Sequence, residues 1–262
     1  MDREYIYDGT FPGFLTAIFD SYKFKEQPEA IVRKGGTETL FAEKHEVITE
    51  IEKSERVWNG IIKNGGEKTG NHIYYAFLSR ETGIEIVLYQ YISRIFSEKR
   101  SIMDDLAAPQ VLKVHKLYRK VAFEAHRVTM FLRFEQAADG TYFAPYAPKY
   151  DIISLTLKHF KMRFADQRWL IYDTIRDYGY YYDTKKIEQV VITHPEFNFD
   201  TGQLHYKAKH PDDEKWQDLW RTYFKKIAIS ERKNLVLQRN FMPKRFWKYL
   251  TEKGSNSLGL RK

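Results

Sequence analysis

Residues 164–183 read FADQRWLIYDTIRDYGYYYD, and the predicted sheet is built outward from this stretch. It contains five tyrosines, one tryptophan, two arginines and four aspartates. Large residues alternate along RWLIYD and along GYYYDT, and a polar stretch from Thr174 to Tyr178 separates the two runs. Alternation interrupted by a turn predicts two antiparallel strands. Both faces of this hairpin are apolar or amphipathic, so one face is expected on a helix and the other against a second layer or a partner.

Two neighbouring patterns extend the hairpin into a larger unit. From Met130 the period changes to two, and MFLRFEQ and TYFAPY flank a turn, which predicts a second hairpin. A helix is predicted over residues 152–164. The order strand, strand, helix, strand, strand predicts an antiparallel sheet built from residues 130–145 and 168–184 and packed by that helix. The expected fold class is therefore α+β, with antiparallel hairpins, several helices and a helix-rich middle.

The region before Met130 begins with a strand over residues 4–8 and a helix capped by Thr10, with Pro12 in its first turn. Two strands are predicted next, over residues 29–33 and 38–48. The predicted helices that follow cover residues 49–62, 70–80, 84–96 and 109–128. We expect an N-terminal α/β region over 1–82, a helical and antiparallel-sheet domain over 83–252 and a flexible tail over 253–262, or one compact unit comprising all three.

The composition limits the class of protein. The chain has 262 residues, of which 43% are hydrophobic and 16% aromatic, so it can bury a substantial core. It has no cysteine, which excludes disulfides, thiolate metal sites and cysteine nucleophiles. No run of about 18 apolar residues is present, and the N-terminal MDREYIYDG lacks the apolar core of a signal peptide. We expect a cytoplasmic protein with no membrane contact.

The net charge is +8 and the isoelectric point is about 9.3, which favours a polyanionic partner. The stretch from Leu219 to Lys253 carries ten cations and two carboxylates, so it accounts for the whole imbalance. A solvated basic surface is the alternative interpretation. Aromatic residues interleave with these cations, and this combination favours nucleic acid.

Nine cations are candidates for nucleic-acid contact, because a guanidinium or ammonium group beside aromatic rings suits a phosphate or a stacked base. They are Arg127, Arg133, Arg163, Arg176, Arg232, Arg239, Lys244, Arg245 and Lys248. Surface ion pairs are the alternative for each. We expect Pro243 to start a helix from which the last three cations project, while Phe246 and Trp247 pack inward.

Catalytic signatures are sparse. The patterns GxxxxGK[ST], GxGxxG, GxSxG and HExxH are absent, and no metal or cofactor is predicted. The candidate catalytic residues are His126, His159, Asp173 and Tyr181. In an enzyme they would converge with Arg133 and Arg163 in one pocket. The alternatives remain open, because His159 and Arg163 lie four residues apart and suit either a phosphate or a carboxylate, and aspartates at strand ends commonly terminate strands.

A helix over residues 212–228 carries large apolar side chains at i, i+3, i+4, i+7, i+8 and i+11. They are Trp216, Leu219, Trp220, Tyr223, Phe224 and Ile227. This spacing predicts a buried stripe, with Lys215, Arg221 and Lys225 on the outside.

Three stretches, DGTYFAPYAPKYDI, HFKMRFADQRWLIYDTIRDYGYYYD and NFMPKRFWKYL, resemble an uncharacterised bacterial family described as probable DNA metabolism proteins. The resemblance extends over nearly the whole chain. Members are typically encoded beside a radical-SAM protein, and a related domain is fused to uracil-DNA glycosylases. The resemblance implies a DNA-linked role and a partner protein, and it implies no established reaction or catalytic residue.

Three functional hypotheses follow. The first is a DNA-binding accessory protein in DNA repair or modification, acting with a radical-SAM or glycosylase partner. The second is an enzyme acting on DNA or a nucleotide through a His/Arg/Asp pocket. The third is a protein-interaction module without nucleic-acid contact. The sequence leaves open whether the chain is an enzyme.

Overall fold

In a computed structural model of the protein, the described residues are 3–36, 43–193, 197, 204–205, 208–227 and 234–253. The chain divides into two compact units, residues 1–122 and 123–262. Helices and strands of mixed orientation make the fold α+β, which confirms the predicted class. The predicted domain boundary at residue 82 stays a prediction. Among the described residues, no helix combines the length and the apolar character that crossing a membrane requires.

Unit 1 is built on a three-stranded parallel sheet. Strand β1 (Arg3–Tyr7) lies between β2 (Pro28–Arg33) and β3 (Glu43–Glu46) and pairs in parallel with both. Tyr5 and Ile6 are buried, as expected for the central strand of a parallel sheet. The predicted strands over residues 4–8 and 29–33 are thereby confirmed.

Helix α1 (Phe11–Phe24) begins as the sequence predicts. The Thr10 hydroxyl accepts a hydrogen bond from the Gly13 N–H at 3.0 Å, and Pro12 lies in the first turn. Of the strand predicted over residues 38–48, the structure describes only part. Residues 37–42 lie outside the described residues, and the following four residues form β3.

Three helices complete the middle of the chain: α2 (Ile51–Leu78), α3 (Ile84–Glu98) and α4 (Pro109–Phe131). The two helices predicted around Gly65 and Gly66 are one helix with a kink, where Gly66 has φ 82° and ψ 164°. A positive φ of this kind suits glycine, which has no Cβ to clash with the backbone. The predicted break is therefore a bend within α2.

Unit 2 contains a five-stranded sheet in the order β4-β5-β6-β7-β8. Its strands are β4 (Glu135–Gln136), β5 (Tyr142–Tyr146), β6 (Trp169–Asp173), β7 (Tyr178–Tyr182) and β8 (Ile187–Val190). Its helices are α5 (Ile153–Arg163), α6 (Asp213–Ile227), α7 (Leu235–Phe241) and a 3-10 helix at Lys244–Tyr249. Strand β8 and helix α7 were not predicted, and the piece after Pro243 is a 3-10 helix. Phe246 is buried, as predicted.

The pairing of β5 with β6 corrects the predicted topology. The hairpin of β6 and β7 is antiparallel as expected, with Trp169 opposite Tyr182 and Asp173 opposite Tyr178. Strands β5 and β6, however, are parallel. The reason is that α5 returns the chain to the end of the sheet where β5 began, so β6 starts at the same end. The expectation of a wholly antiparallel sheet is therefore wrong.

The first predicted hairpin is confirmed in part, since β4 and β5 pair antiparallel across the predicted turn, but its first strand is much shorter than predicted. Met130 and Phe131 belong to the last turn of α4, and the Leu132 N–H donates to the Val128 carbonyl oxygen at 3.0 Å. Only the two residues of β4 pair with β5. The alternation of MFLRF does not form a strand because the hydrogen-bond ladder of α4 continues into it.

A stacked pair of histidines lies in unit 1. The buried His72 ring stacks on Tyr118 at 3.8 Å between centroids, and His115 lies at 5.8 Å. The Nδ1 atom of His72 is 2.8 Å from the Lys68 carbonyl oxygen, so this nitrogen carries the hydrogen. Burial lowers the pKa of His72, and the neighbouring His115 lowers it further.

The lowered pKa predicts a pH dependence of stability. As pH falls below the ordinary histidine range, the unfolded chain binds the proton at this position first, and the free energy of unfolding decreases. The replacement His72→Phe keeps a ring on Tyr118 and removes the titration. We expect urea unfolding at pH 7.5 and 5.5 to show a smaller stability loss for the variant than for the parent. Equal losses would contradict this assignment.

Candidate functional site

An open cavity of about 630 Å³ lies within unit 2. It is bounded by the residues after α4, by the first residues of β5 and β6, by the last turn of α5 and by the exposed face of α6. Seven aromatic side chains line it: Phe134, Tyr142, Phe160, Phe164, Trp169, Trp216 and Trp220. The composition of this lining suits a flat or apolar group.

One wall of the cavity comes from α5 and the neighbouring segments. Phe160 and Phe164 are one helical turn apart, and their rings lie nearly parallel with centroids 6.5 Å apart. The Phe134 ring meets both edge-on, at 5.8 and 5.3 Å. Trp169 is fully buried beneath them. These contacts hold the rings in place, so this wall is preformed.

Helix α6 forms the opposite wall of the cavity, and its apolar stripe is not buried as predicted. The stripe of α6 is exposed, with 63% of Trp216, 39% of Trp220 and 54% of Tyr223 open to solvent. The side chains of Phe224, Lys225 and Ile227 lie outside what the structure describes. Helical spacing predicts that one face is apolar, but it does not predict what covers that face. Two rings of the stripe, from Trp216 and Trp220, line the cavity instead of the core.

A buried aspartate fixes the start of α6. Asp213 accepts a hydrogen bond from the Gln136 backbone N–H at 2.9 Å and another from Gln217 Nε2 at 2.6 Å. Each carboxylate oxygen therefore has a partner, as a buried carboxylate requires. Since Gln136 belongs to β4, these bonds tie the first turn of α6 to the sheet.

A second buried carboxylate fixes Trp220. The nearly buried side chain of Glu252 accepts hydrogen bonds from Arg133 Nη2 and from Trp220 Nε1, each at 2.9 Å. Burial alone would raise the pKa of Glu252, but Arg133 and the indole N–H lower it overall. Arg133 also donates to the carbonyl oxygens of Met130 and Leu132, at 3.0 and 3.1 Å. Its guanidinium group therefore stabilises the wall of the cavity.

Arg163 lines the cavity and is uncommitted, in the sense that its guanidinium group makes no hydrogen bond or ion pair with the described residues. It ends α5, its side chain is exposed, and its guanidinium carbon lies 5.7 Å from the centre of the Phe164 ring. Among the described residues it has neither a carboxylate nor a carbonyl partner. A guanidinium group in this state can bind a phosphate with two parallel hydrogen bonds.

Four of the other eight predicted contact cations, Arg127, Arg133, Arg176 and Arg245, are already engaged by carboxylates or carbonyl oxygens. Arg127 donates to the Asn240 carbonyl oxygen at 2.9 Å and lies over the Phe123 ring at 4.1 Å. Arg245 pairs with the buried carboxylate of Glu124. The Arg245 side chain is thus partly exposed but its guanidinium group is already engaged, and its contact with nucleic acid stays a prediction.

The remaining candidates at the C-terminus differ in exposure. Arg239 and Lys244 are exposed, and Lys248 is half-buried with its ammonium nitrogen 4.8 Å from the centre of the Tyr249 ring. Arg232 lies outside the described residues. The C-terminal surface is thus basic, but fewer of its cations are available than the sequence implies.

Arg176 forms a structural clamp with Asp173. The fully buried Asp173 carboxylate accepts hydrogen bonds from the backbone N–H groups of Ile175 and Arg176 and from Arg176 Nη1, the last at 2.6 Å. The guanidinium group also donates to the carbonyl oxygens of Pro148 and Lys149, at 3.2 and 3.0 Å. Burial raises the pKa of Asp173, and Arg176 opposes the rise. These contacts hold the turn between β6 and β7.

The proposed convergence of six catalytic candidates does not occur in this cavity. Of the six, only Arg133 and Arg163 line it. Asp173 ends the strand that Trp169 begins, so four residues and about 13 Å of extended chain separate the two. The other three candidates lie elsewhere in unit 2: His126 and His159 are exposed, and Tyr181 is half-buried opposite Leu170 on β6.

The aromatic residues of the cavity were missed as site residues. The sequence signal was present, because Phe160 and Phe164 are spaced i, i+4 around Arg163 on a predicted helix. The amide side chains of Gln136 and Gln167 also line the cavity, and no local pattern marks them. In the described part of the chain, no group of three His, Cys, Asp or Glu side chains is arranged to hold a metal ion.

Residues 82–252 match the family model of a domain of unknown function, DUF4130. The chain belongs to the DUF4130 family. No curated protein and no solved structure matches the chain significantly. The matched range contains every residue that lines the cavity, from Thr129 to Thr251. The cavity therefore lies wholly within the part of this chain that matches the DUF4130 domain.

Removing the charge of Arg176, which is paired with a buried carboxylate, should lower the stability of this DUF4130 domain more than removing the charge of the exposed Arg163. The replacement Arg176→Met leaves the buried Asp173 carboxylate without its cation, so we expect the free energy of unfolding to fall by about 3 kcal/mol at pH 7. The loss should shrink as pH falls, because protonation of Asp173 removes the unpaired charge.

The matched control is Arg163→Met. That side chain is exposed and has no charged partner among the residues that the structure describes, so its removal should change the free energy of unfolding by at most about 0.5 kcal/mol. Denaturant unfolding followed by circular dichroism measures both variants. Similar losses for the two would contradict the distinction between the clamp and the uncommitted cation.

Proposed function

We propose that this DUF4130 protein is a DNA-binding accessory protein in DNA repair or modification, and that DNA binds at the aromatic cavity of unit 2. The observation that carries the proposal is the position of Arg163, an uncommitted guanidinium group beside exposed aromatic rings. Cations and rings at one site are typical of surfaces that bind single-stranded nucleic acid.

The electrostatics of the cavity support an anionic ligand. The Asp213 and Glu252 carboxylates, which could repel a phosphate, are both engaged by donors from the protein. The net charge of +8 adds a favourable field at longer range. A phosphate near Arg163 therefore meets a cation without a competing acceptor among the described residues.

The accessory role is supported by the resemblance of the sequence. The matching stretches resemble a family encoded beside radical-SAM proteins and related to a domain fused to uracil-DNA glycosylases. A protein of this kind would present DNA to such an enzyme. The exposed apolar side chains of α7, Val236, Leu237 and Phe241, suit the contact with that partner.

The same α7 surface supports a second candidate function, a protein-interaction module that does not contact nucleic acid. An enzyme acting on DNA stays a prediction, and of its six proposed residues only Arg133 and Arg163 lie at the cavity. A binding measurement separates the first two possibilities.

The test compares Arg163→Gln with the parent for binding to a fluorescein-labelled single-stranded oligonucleotide, followed by anisotropy at several salt concentrations. A charge-assisted contact to phosphate contributes about 1.5–3 kcal/mol, so the affinity should fall about tenfold or more. The slope of log K against log salt should decrease by about 0.7, the value for one cation on a single strand.

The control is Lys158→Gln, which removes an exposed cation from the same helix away from the cavity. It should leave affinity and salt slope nearly unchanged. Equal losses for both variants would show that binding depends only on total charge. Salt-independent binding, or none, would reject the proposed function.

The basic 3-10 helix gives a separate test. The double variant Lys244→Ala/Lys248→Ala should lower the salt slope by about 1.4 on single strands, two cations in total. Arg245 is left in place, because its loss would leave the buried Glu124 carboxylate without its cation. An unaltered slope would show that these lysines do not contact DNA.

A further inference from the structure

We infer that the cavity of unit 2 is a receptor for one unstacked nucleobase, with the adjoining phosphate bound by Arg163. The inference rests on the proposed DNA binding and specifies which part of DNA the cavity accepts. Neither the family match nor the predicted contact cations assign a base-binding site to these residues.

The size of the cavity suits a single nucleotide unit. Its volume of about 630 Å³ lies in the range of roughly 300–1,000 Å³ that is typical of small-molecule pockets. A base pair within a duplex cannot enter, because the duplex is far wider than such a pocket and its major groove alone is about 12 Å across. A base must therefore leave its stack, or belong to a single strand, before it reaches the rings.

The walls offer flat surfaces for stacking. Trp216 and Trp220 lie one helical turn apart on α6, and both present exposed rings to the cavity. Phe134 and Phe164 line it from the preformed wall. Every base has a flat face that stacks on such rings, and this explains why so many aromatic side chains are left open to solvent in unit 2.

Two amide side chains make the cavity specific for a polar ring. Gln136 and Gln167 line it, and within the described residues neither side-chain amide is hydrogen-bonded. Each amide presents one acceptor and donors side by side, which matches the adjacent donor and acceptor atoms on the edge of a base. By contrast, the Gln217 amide is already held by Asp213 and Arg221. A purely apolar ligand would leave Gln136 and Gln167 unused.

Arg163 is placed to bind a phosphate of the DNA backbone. Arg163 lines the cavity and its side chain is exposed, so its guanidinium group is accessible to a phosphate that stays in solvent while the base is inside. Arg133 is less suited to this role, because Nη1 donates to two carbonyl oxygens and Nη2 to the nearly buried carboxylate of Glu252. Rings and amides for the base and a guanidinium for the phosphate together complete the recognition of a nucleotide.

The test removes bases from the ligand without removing phosphates. Anisotropy would compare a thymidine decamer with a decamer of the same length that is wholly abasic. For the parent protein we expect the abasic strand to bind at least about tenfold more weakly. For Trp216→Ala that difference should shrink to about twofold or less, while the salt slope stays the same, because the variant removes a stacking surface and no charge.

The matched control is Tyr223→Ala, which removes another exposed ring from α6 that does not line the cavity. It should keep the full difference between thymidine and abasic strands. Far-UV circular dichroism confirms that both variants are folded. If both variants lose the difference equally, or neither loses it, the cavity is not the base receptor.

A further measurement with duplex DNA tests whether the cavity accepts a base that has left its stack. A duplex with one unpaired, extrahelical thymidine should bind at least about fivefold more tightly than the fully paired duplex, and equal binding of the two would overturn the inference. Equal, salt-dependent binding of thymidine and abasic strands would also overturn it while leaving the proposed DNA binding intact. Failure of both strands to bind would reject the proposed function as well.

Discussion

The parallel pairing of β5 with β6 is the constraint on which the organisation of unit 2 depends. Two parallel neighbours require a crossover, and α5 supplies it by returning the chain to the end of the sheet where β5 starts. The last turn of that helix, with Phe160, Arg163 and Phe164, therefore comes to the side of Trp169, and this is the site of the cavity. The opposite end of the same strands holds the clamp between Asp173 and Arg176.

Buried carboxylates decide which cations remain available in unit 2. Three of them each bind one arginine, in the pairs Asp173 with Arg176, Glu252 with Arg133 and Glu124 with Arg245. An ionised carboxylate inside a protein is costly unless a cation compensates it, so removing any of these arginines should destabilise the folded chain. A count of positive charge along the chain therefore overestimates the surface available to a polyanion. Arg163 stands out because the described residues offer it no such carboxylate.

Local sequence patterns predicted where helices and strands lie better than they predicted strand direction and side-chain burial. Alternation located β6 and β7, and the cap at Thr10 located the start of α1, because short-range contacts determine both. The direction of β5 relative to β6 depends on the helix α5 between them, and a local pattern does not predict that direction. The start of MFLRF is helical because α4 extends to Phe131. At the site, Arg163 was proposed as a phosphate-binding residue from its spacing of four residues from His159, and this role stays a prediction. The exposure of Trp216 was not predicted, because burial depends on residues distant in the chain.

The open aromatic face of α6 also affects how this protein behaves at high concentration. A chain with a net charge of +8 is kept apart from its copies by repulsion at low ionic strength. At about 1 M salt the screening length falls to about 3 Å, and exposed rings on neighbouring molecules can then meet. High salt is also the condition that strips nucleic acid from a basic protein. During purification, low salt is therefore expected to leave nucleic acid bound and high salt to promote self-association, so a moderate ionic strength is the practical choice.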